Sequence, residues 1–105
     1  MDVLNKEYVM QIAKEFAVLV RSDLDNSAEI YVFGSAARNE MHEDSDIDIA
    51  VVSNSFTTDA IDNRVKLLNL SQKVSWNIEP HPITHEYWTH TTPFEDEVKK
   101  DGIIV

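Results

Sequence analysis

Apolar residues recur at helical spacing near the start of the chain and again in its middle. Over residues 3–21 the apolar positions form one stripe and most charged side chains lie off it, which predicts an amphipathic helix. The same spacing returns over residues 60–74, where Asp59 or Thr58 is the expected N-cap. Two short helices are predicted at residues 84–89 and 94–100.

Three apolar or proline-containing segments between these helices predict strands. Residues 30–33 form a short apolar run that ends at Gly34. Residues 46–52 alternate acidic and apolar residues and then become wholly apolar, as a strand does when it enters the core from a wet rim. Residues 75–83 contain two prolines, which exclude a helix and favour an edge strand.

A short helix from Ser35 to about Met41 is expected between the first two strands. The predicted order is then α-β-α-β-α-β-α-α, which favours an α+β fold in which helices cover a small mixed β-sheet. With 105 residues, 43% of them hydrophobic, the chain has the size and composition of one folded domain, expected to span residues 1–105.

Charge and cysteine content narrow the function. Nine basic and nineteen acidic residues give a formal net charge of −10, which disfavours direct nucleic-acid binding. A small nucleotide accompanied by cations, or a basic protein partner, fits better. The absence of cysteine excludes disulfides and thiolate sites. A charged N-terminal segment, and no stretch near the roughly 20 apolar residues of a membrane span, predict a cytoplasmic protein away from membranes.

The Gly34-Ser35 pair lies between an apolar strand and a predicted helix. Glycine permits a sharp turn with positive φ, and backbone N–H groups at the start of a helix can hold a phosphate. An ordinary strand-to-helix turn explains the same pair, because it lacks the fuller glycine-rich signatures.

Asp46 and Asp48 are spaced two residues apart on the second predicted strand. Their side chains should leave the same face, with Cα atoms about 6.5–7 Å apart, so that the carboxylates can converge on shared cations. Pairs of divalent ions held in this way support in-line phosphoryl displacement. The alternative is two acidic residues on a solvated strand end.

Two further residues extend this candidate site. Glu79 should point to the same face as the aspartates if the third strand pairs with the second, where it could bind metal or accept a proton. Otherwise it is a surface glutamate of an edge strand. Arg38 could contact a phosphate, or instead be exposed or paired with Glu43 or Asp44.

The combination resembles a known family. Gly34-Ser35, ten further residues and Asp46-Ile47-Asp48, with Arg38 and Ser45 between them, look like the signature of the polymerase-β-like nucleotidyltransferase superfamily. The short chain is most similar to the minimal nucleotidyltransferases, also called MNT or MntA-type proteins. Many relatives carry glycine where this chain has Asn39, and their third carboxylate is often aspartate.

The resemblance implies a polymerase-β-like fold and a set of functional residues. Gly34 and Ser35 would hold the nucleotide phosphates, Asp46 and Asp48 would bind two Mg²⁺ ions, and Glu79 would supply the third carboxylate. It also implies an antitoxin that transfers AMP from ATP to a tyrosine of a HEPN-domain ribonuclease toxin. Two alternatives stay open: a non-catalytic antitoxin that masks its partner, for which the apolar tail 103–105 is an argument, and a nucleotidyltransferase acting on aminoglycoside-like small molecules. The sequence leaves open whether the protein also forms a homodimer.

The histidines and aromatic residues near the C-terminal end are not expected to bind zinc or adenine. His81, His85 with Glu86, and His90 are not expected to bind zinc, because Pro82 breaks the helix that an i, i+4 pair requires. The aromatic side chains in this region are expected to belong to the core or to face a partner rather than to stack on adenine: Trp76, Tyr87 and Trp88.

Overall fold

The computed structural model describes residues 5–41, 45–90 and 92–105. Within these residues the chain forms five α-helices: α1 (Lys6–Asp23), α2 (Gly34–Ala37), α3 (Ala60–Ser71), α4 (His85–Thr89) and α5 (Pro93–Asp101). It also forms four β-strands: β1 (Glu29–Phe33), β2 (Ile47–Ser53), β3 (Ile78–Thr84) and β4 (Ile103–Ile104).

The strands form one mixed sheet in the order β3-β2-β1-β4. Strand β1 pairs antiparallel with both β2 and β4, whereas β2 and β3 are parallel. Helix α3 makes the crossover connection that two parallel strands require. The prediction of an α+β fold with a small mixed sheet covered by helices is confirmed.

Side-chain caps fix where the two longest helices begin. The Asn5 side chain accepts a hydrogen bond from the Tyr8 backbone N–H at the start of α1, and the Asp59 side chain accepts one from Asp62 at the start of α3. Asp59 was one of the two caps expected from the sequence.

The main core lies between α1, α3 and one face of the sheet. The helices contribute buried side chains at three- and four-residue intervals, such as Ile12, Phe16 and Leu67. The strands contribute alternate residues on the facing side, among them Ile30 and Ile49. Alternation therefore directs the intervening residues of the same strands to the other face.

The second face of the sheet is covered only in part. A smaller cluster of Phe33, Ala50, Val52 and Ile83 packs there against Val98 of α5. Because this cluster covers only part of the second face, polar side chains near the first residues of β2 and β3 remain accessible. This uncovered end carries the candidate site.

Two local features differ from the sequence prediction. The helix expected over residues 35–41 is a single turn, Gly34–Ala37. The tail at residues 103–105 is part of the sheet, because Ile103–Ile104 pairs with β1 and the Val105 N–H donates to the Ile30 carbonyl, while the Ile104 side chain is 67% exposed. Short segments with little periodic signal take their structure from tertiary contacts.

The prolines of β3 occupy positions that an edge strand tolerates. Strand β3 lies at one edge of the sheet. Pro80 and Pro82 are two residues apart on this strand, so their backbone nitrogens face the same side. The predicted edge strand is confirmed.

Among the described residues, no helix has the length and apolar character needed to cross a membrane.

Candidate active site

The turn after β1 is shaped around the carboxylate of Asp48. Gly34 has φ of +68°, a conformation that glycine adopts without steric cost. A Cβ added to Gly34 would lie 2.6 Å from Asp48 Oδ2, which is closer than any ordinary contact. The backbone and the carboxylate therefore fit together only because this residue has no side chain.

This contact follows from the strand register. Phe33, the last residue of β1, is the cross-strand partner of Asp48 in β2. The turn that begins at Gly34 therefore starts directly beside the aspartate. The expected positive-φ turn is present, and it is coupled to the carboxylate by packing as well as by spacing in the sequence.

Helix α2 is short because it ends in a left-handed residue. Asn39 has φ of 57°, and the Glu40 N–H donates to the Ser35 carbonyl at 2.9 Å, as in a Schellman motif. Asparagine tolerates this conformation better than most residues, so Asn39 fits a position where the resemblance implies glycine. Any phosphate held by Gly34 and Ser35 would thus contact the backbone of one turn rather than the end of a long helix.

Asp48, Glu79 and His81 come together on the partly uncovered face of the sheet. Glu79 is the register partner of Asp48 in the parallel pair, and His81 follows two residues later on the same face. One ligand atom from each residue lies within 4.8 Å of the others. The predicted convergence of Glu79 with Asp48 is present in the structure, while their roles stay a prediction.

His81 is the member of this group that the sequence interpretation missed. Its Nε2 lies 3.1 Å from Asp48 Oδ1. The histidines were judged by helical spacing, but His81 lies on a strand, where the relevant period is two residues. The pattern Glu79-Pro80-His81 therefore carried the signal that would have placed both side chains on one face.

Asp46 lies beside this group but is not part of it. It precedes the first residue of β2 and is exposed. The group whose ligand atoms lie within 4.8 Å of one another contains Asp48 and not Asp46. The role of Asp46 as a metal ligand stays a prediction from the sequence.

Arg38 is held by carboxylates in this structure. Its guanidinium lies 3.3 Å from Glu40, 3.5 Å from Glu97 and 3.9 Å from Asp101, so it joins α2 to α5. Glu43 and Asp44, the partners considered from the sequence, lie outside the described residues. Contact of Arg38 with a phosphate stays a prediction, and it would require exchange of these exposed ion pairs.

Glu79 also has a cationic neighbour. Arg64 of α3 lies 3.7 Å from Glu79 Oε1, and both side chains are well exposed. An exposed pair of this kind is weak, so it leaves the carboxylate available to another cation.

A separate cleft of about 540 Å³ lies at the opposite ends of β2 and β3, where Ser53 and Thr84 line it. Asp48 is five residues from Ser53 along β2, a separation of roughly 16 Å. Glu95 lines this cleft and is only 8% exposed, and within the described parts of the chain its Oε2 has no hydrogen-bond partner. We place the candidate active site at Asp48, because the potential metal ligands and the glycine turn converge there.

The aromatic residues Trp76, Tyr87 and Trp88 differ in how far they are exposed. Trp76 and Tyr87 are 79% and 60% exposed, so they lie outside the core, and contact with a partner stays a prediction. Trp88 packs against Tyr31 with ring centroids 5.2 Å apart, and Lys99 Nζ lies 4.7 Å from its ring centre. Trp88 therefore belongs to the packing of α4 and α5 on the sheet.

A glycine turn thus packs on a strand carboxylate, with further potential ligands on the adjacent strand. Comparison with known proteins identifies the family of the chain. The profile of the nucleotidyltransferase domain family matches residues 9–105. The chain belongs to the nucleotidyltransferase domain family.

Individual relatives are also nucleotidyltransferases by name. The chain is 27% identical over 101 residues to a candidate protein adenylyltransferase of Methanocaldococcus jannaschii, covering 94% of this chain and 96% of the relative. The crystal structure of a candidate nucleotidyltransferase from Sulfolobus solfataricus superposes with a TM-score of 0.66 at 25% identity, covering 94% of this chain and 80% of that one.

Two variants of the toxin–antitoxin MntA–HpeT share the fold. Each superposes with a TM-score of 0.57, at 24% and 22% identity, and covers 96% and 95% of this chain and 71% of the other. At this level of identity the likeness establishes the fold.

The residues around Asp48 fit a divalent cation. Two carboxylates and an imidazole are common ligands of divalent ions, and their ligand atoms already lie close together. The close approach of the Gly34 backbone leaves Asp48 Oδ2 packed on one side and Oδ1 directed toward His81. This geometry can bring a nucleotide phosphate near Gly34 into reach of a cation held by the carboxylates.

Proposed function

We propose that this protein is a nucleotidyltransferase that transfers AMP from ATP to a hydroxyl group of a partner protein, and that it thereby acts as an antitoxin. The observation that carries the proposal is the contact between Gly34 and Asp48. A turn with positive φ, suited to phosphate, packs against a carboxylate suited to a cation. An ordinary strand-to-helix turn does not need a carboxylate packed against it. A metal-dependent nucleotide site needs the phosphate-binding turn and the cation-binding carboxylate to be adjacent.

In this proposal the residues of the site have distinct roles. Gly34 and Ser35 orient the phosphates through backbone N–H groups, and Asp48, Glu79 and Asp46 hold divalent cations, with Mg²⁺ as the ion that the family resemblance implies. Bound cations supply neutralisation of the phosphate charge. Arg38 leaves its exposed carboxylate partners and contacts a phosphate of ATP.

The transfer step needs a base but no covalent intermediate on the protein. The acceptor oxygen forms a bond to the α-phosphorus of ATP while the bond to the bridging oxygen breaks and pyrophosphate leaves. The hydroxyl proton passes to a carboxylate of the site. Glu79 suits this role through the carboxylate oxygen that does not hold a cation, because the described partner of Glu79 is the weak, exposed contact with Arg64, whereas Asp48 is engaged by His81.

A tyrosine of a HEPN-domain toxin is the acceptor that we propose. The name of the M. jannaschii relative supports protein adenylylation, and the toxin–antitoxin neighbours support a toxin partner. The formal charge of −10 favours a protein with a basic surface. Exposed Trp76 and Tyr87 offer aromatic contact area for such a partner.

Neutralisation by binding alone is the second candidate. Ile61 and Trp76 are more than three-quarters exposed, so the chain carries apolar surface beyond what its own fold uses. A masking antitoxin would still neutralise its partner after Asp48→Asn, whereas an enzymatic antitoxin would not.

The position of a radioactive label in ATP tests the proposed reaction. The protein is incubated with Mg²⁺, the candidate toxin from the neighbouring gene and ATP labelled at either the α- or the γ-phosphate. We expect label on the toxin from α-labelled ATP only, and peptide mass spectrometry should place AMP on a tyrosine. Transfer from γ-labelled ATP, or a toxin that is bound tightly but never labelled, would contradict the proposal.

A further inference from the structure

The third member of the group formed by Asp48, Glu79 and His81 offers a nitrogen atom. His81 lies two residues after Glu79 on β3, and Glu79 is paired with Asp48, so the three side chains share one face. Their ligand atoms lie within 4.8 Å of one another. Two ligands bound to one ion at bond lengths of about 2.0–2.2 Å lie up to roughly 4 Å apart, so small side-chain movements would close the site.

Packing directs the imidazole toward the carboxylates. The His81 ring meets Phe33 edge-on with ring centroids 5.1 Å apart, and Phe94 lies 5.7 Å away. The His81 side chain is only 23% exposed, whereas His85 and His90 lie on the exposed surface of α4 and the residue after it. The nitrogen is therefore held in place before any ion binds.

An imidazole changes which ion the site prefers. Mg²⁺ takes oxygen ligands and is held in proteins mainly by carboxylates and water. Imidazole nitrogen adds affinity for first-row transition metals in the order Mn²⁺, Fe²⁺, Co²⁺, Ni²⁺. A set of two carboxylates and one imidazole therefore favours a transition-metal ion over Mg²⁺.

We propose that His81 binds the cation directly together with Asp48 and Glu79, and that the site selects a first-row transition-metal ion over Mg²⁺. The inference deepens the proposed function, since it concerns the ion of the same site. It assigns to His81 a role beyond orienting the Asp48 carboxylate through their 3.1 Å contact.

Direct binding and orientation of Asp48 predict different results. If His81 only orients Asp48, its loss weakens every divalent ion to a similar extent, because all of them use that carboxylate. If His81 is a ligand, its loss weakens a transition metal and leaves Mg²⁺ nearly unchanged. Replacement by glutamine suits this comparison, because an amide oxygen turns the ligand set into one of oxygens only.

The experiment measures Co²⁺ and Mg²⁺ affinity by calorimetry on the protein alone, without nucleotide or partner. His81→Gln should weaken Co²⁺ binding about tenfold or more, as expected when even a supporting residue of a metal site is lost, and change Mg²⁺ binding by less than about threefold. The matched control His85→Gln should change neither. Proton NMR of the Co²⁺ form should contain a strongly shifted imidazole resonance that disappears only in His81→Gln.

Unchanged Co²⁺ affinity in His81→Gln, or equal losses for Co²⁺ and Mg²⁺, would overturn the proposal. Should His81→Gln fold poorly, His81→Phe keeps an aromatic ring against Phe33 and Phe94 and provides the same comparison. The metal measurement involves no ATP. A protein that selects Co²⁺ through His81 yet transfers no AMP would contradict the proposed function and leave this inference standing.

Discussion

Replacement of Gly34 by alanine perturbs the backbone and the carboxylate at once. An L-residue in the left-handed conformation costs roughly 1–2 kcal/mol. The new Cβ would lie 2.6 Å from Asp48 Oδ2, so the carboxylate must move by roughly 0.8 Å to reach an ordinary contact of about 3.4 Å. At about 4–8 °C per kcal/mol, we expect the Tm to fall by at least about 4 °C.

The functional effect should exceed the effect on stability. A displacement approaching 1 Å at a reacting centre can reduce a rate about 100-fold, so Gly34→Ala should lose AMP transfer and divalent-cation affinity while it remains folded. Thermal unfolding and calorimetric metal binding measure the two effects separately.

Gly102→Ala is the matched control for this substitution. Gly102 has an ordinary φ of −67°, but a Cβ there would collide with the Val98 carbonyl oxygen at the end of α5. The Gly102→Ala substitution should therefore lower the Tm and leave the affinity for divalent cations unchanged. If Gly34→Ala melts like the wild type and binds cations equally well, the coupling between the turn and Asp48 is refuted.

Three further substitutions test individual contacts. Glu95→Leu should raise the free energy of unfolding by about 1 kcal/mol in urea denaturation, because it removes a buried carboxylate oxygen that has no partner among the described residues. A lower free energy of unfolding would show that the buried oxygen does not destabilise the fold. Arg64→Gln should tighten divalent-cation binding up to about fivefold, because an exposed ion pair such as Arg64–Glu79 contributes about 0.2–1 kcal/mol. Lys66→Gln on the same helix should have no effect, and equal effects of the two substitutions would argue against a specific contact between Arg64 and Glu79. The hydrogen bond from the Ser53 hydroxyl is the main cause of the lowered pKa of Asp25, so its stabilising effect is present above about pH 4 and disappears as the pH falls through the folded-state pKa. The loss of stability in Ser53→Ala should therefore become smaller in acid. A loss that does not change with pH would refute this hydrogen bond as its cause.

The longer helices and the strands were predictable from the sequence because their signals are local. The apolar stripe of α1 and the Asp59 cap of α3 determine where these helices lie and how they face the core. The alternation in β2 likewise separates buried Ile47 and Ile49 from Asp48. Each signal reflects burial of one face of a regular element.

Other features depend on contacts between distant segments. The pairing of the tail with β1 has no periodic signal, because β4 is only two residues long. The length of α2 is set by left-handed Asn39, which a run of helix-compatible residues does not reveal.

The candidate site was only partly predictable for the same reason. Gly34, Asp48 and Glu79 followed from the motif and from strand alternation. His81 was missed because its proximity to Asp48 depends on the parallel register of β2 and β3. Arg64 was missed because an exposed helix residue gives no sign of the strand residue that it contacts.

We propose that the Gly34–Asp48 site transfers AMP by means of its carboxylates. The most direct measurement is the rate of label transfer from α-labelled ATP to the partner protein for the wild type, Asp48→Asn and the surface control Asp62→Asn. We expect Asp48→Asn to lose at least about 100-fold in rate while its Tm stays near that of the wild type, and Asp62→Asn to retain full activity. Transfer that survives Asp48→Asn at the wild-type rate would contradict the claim.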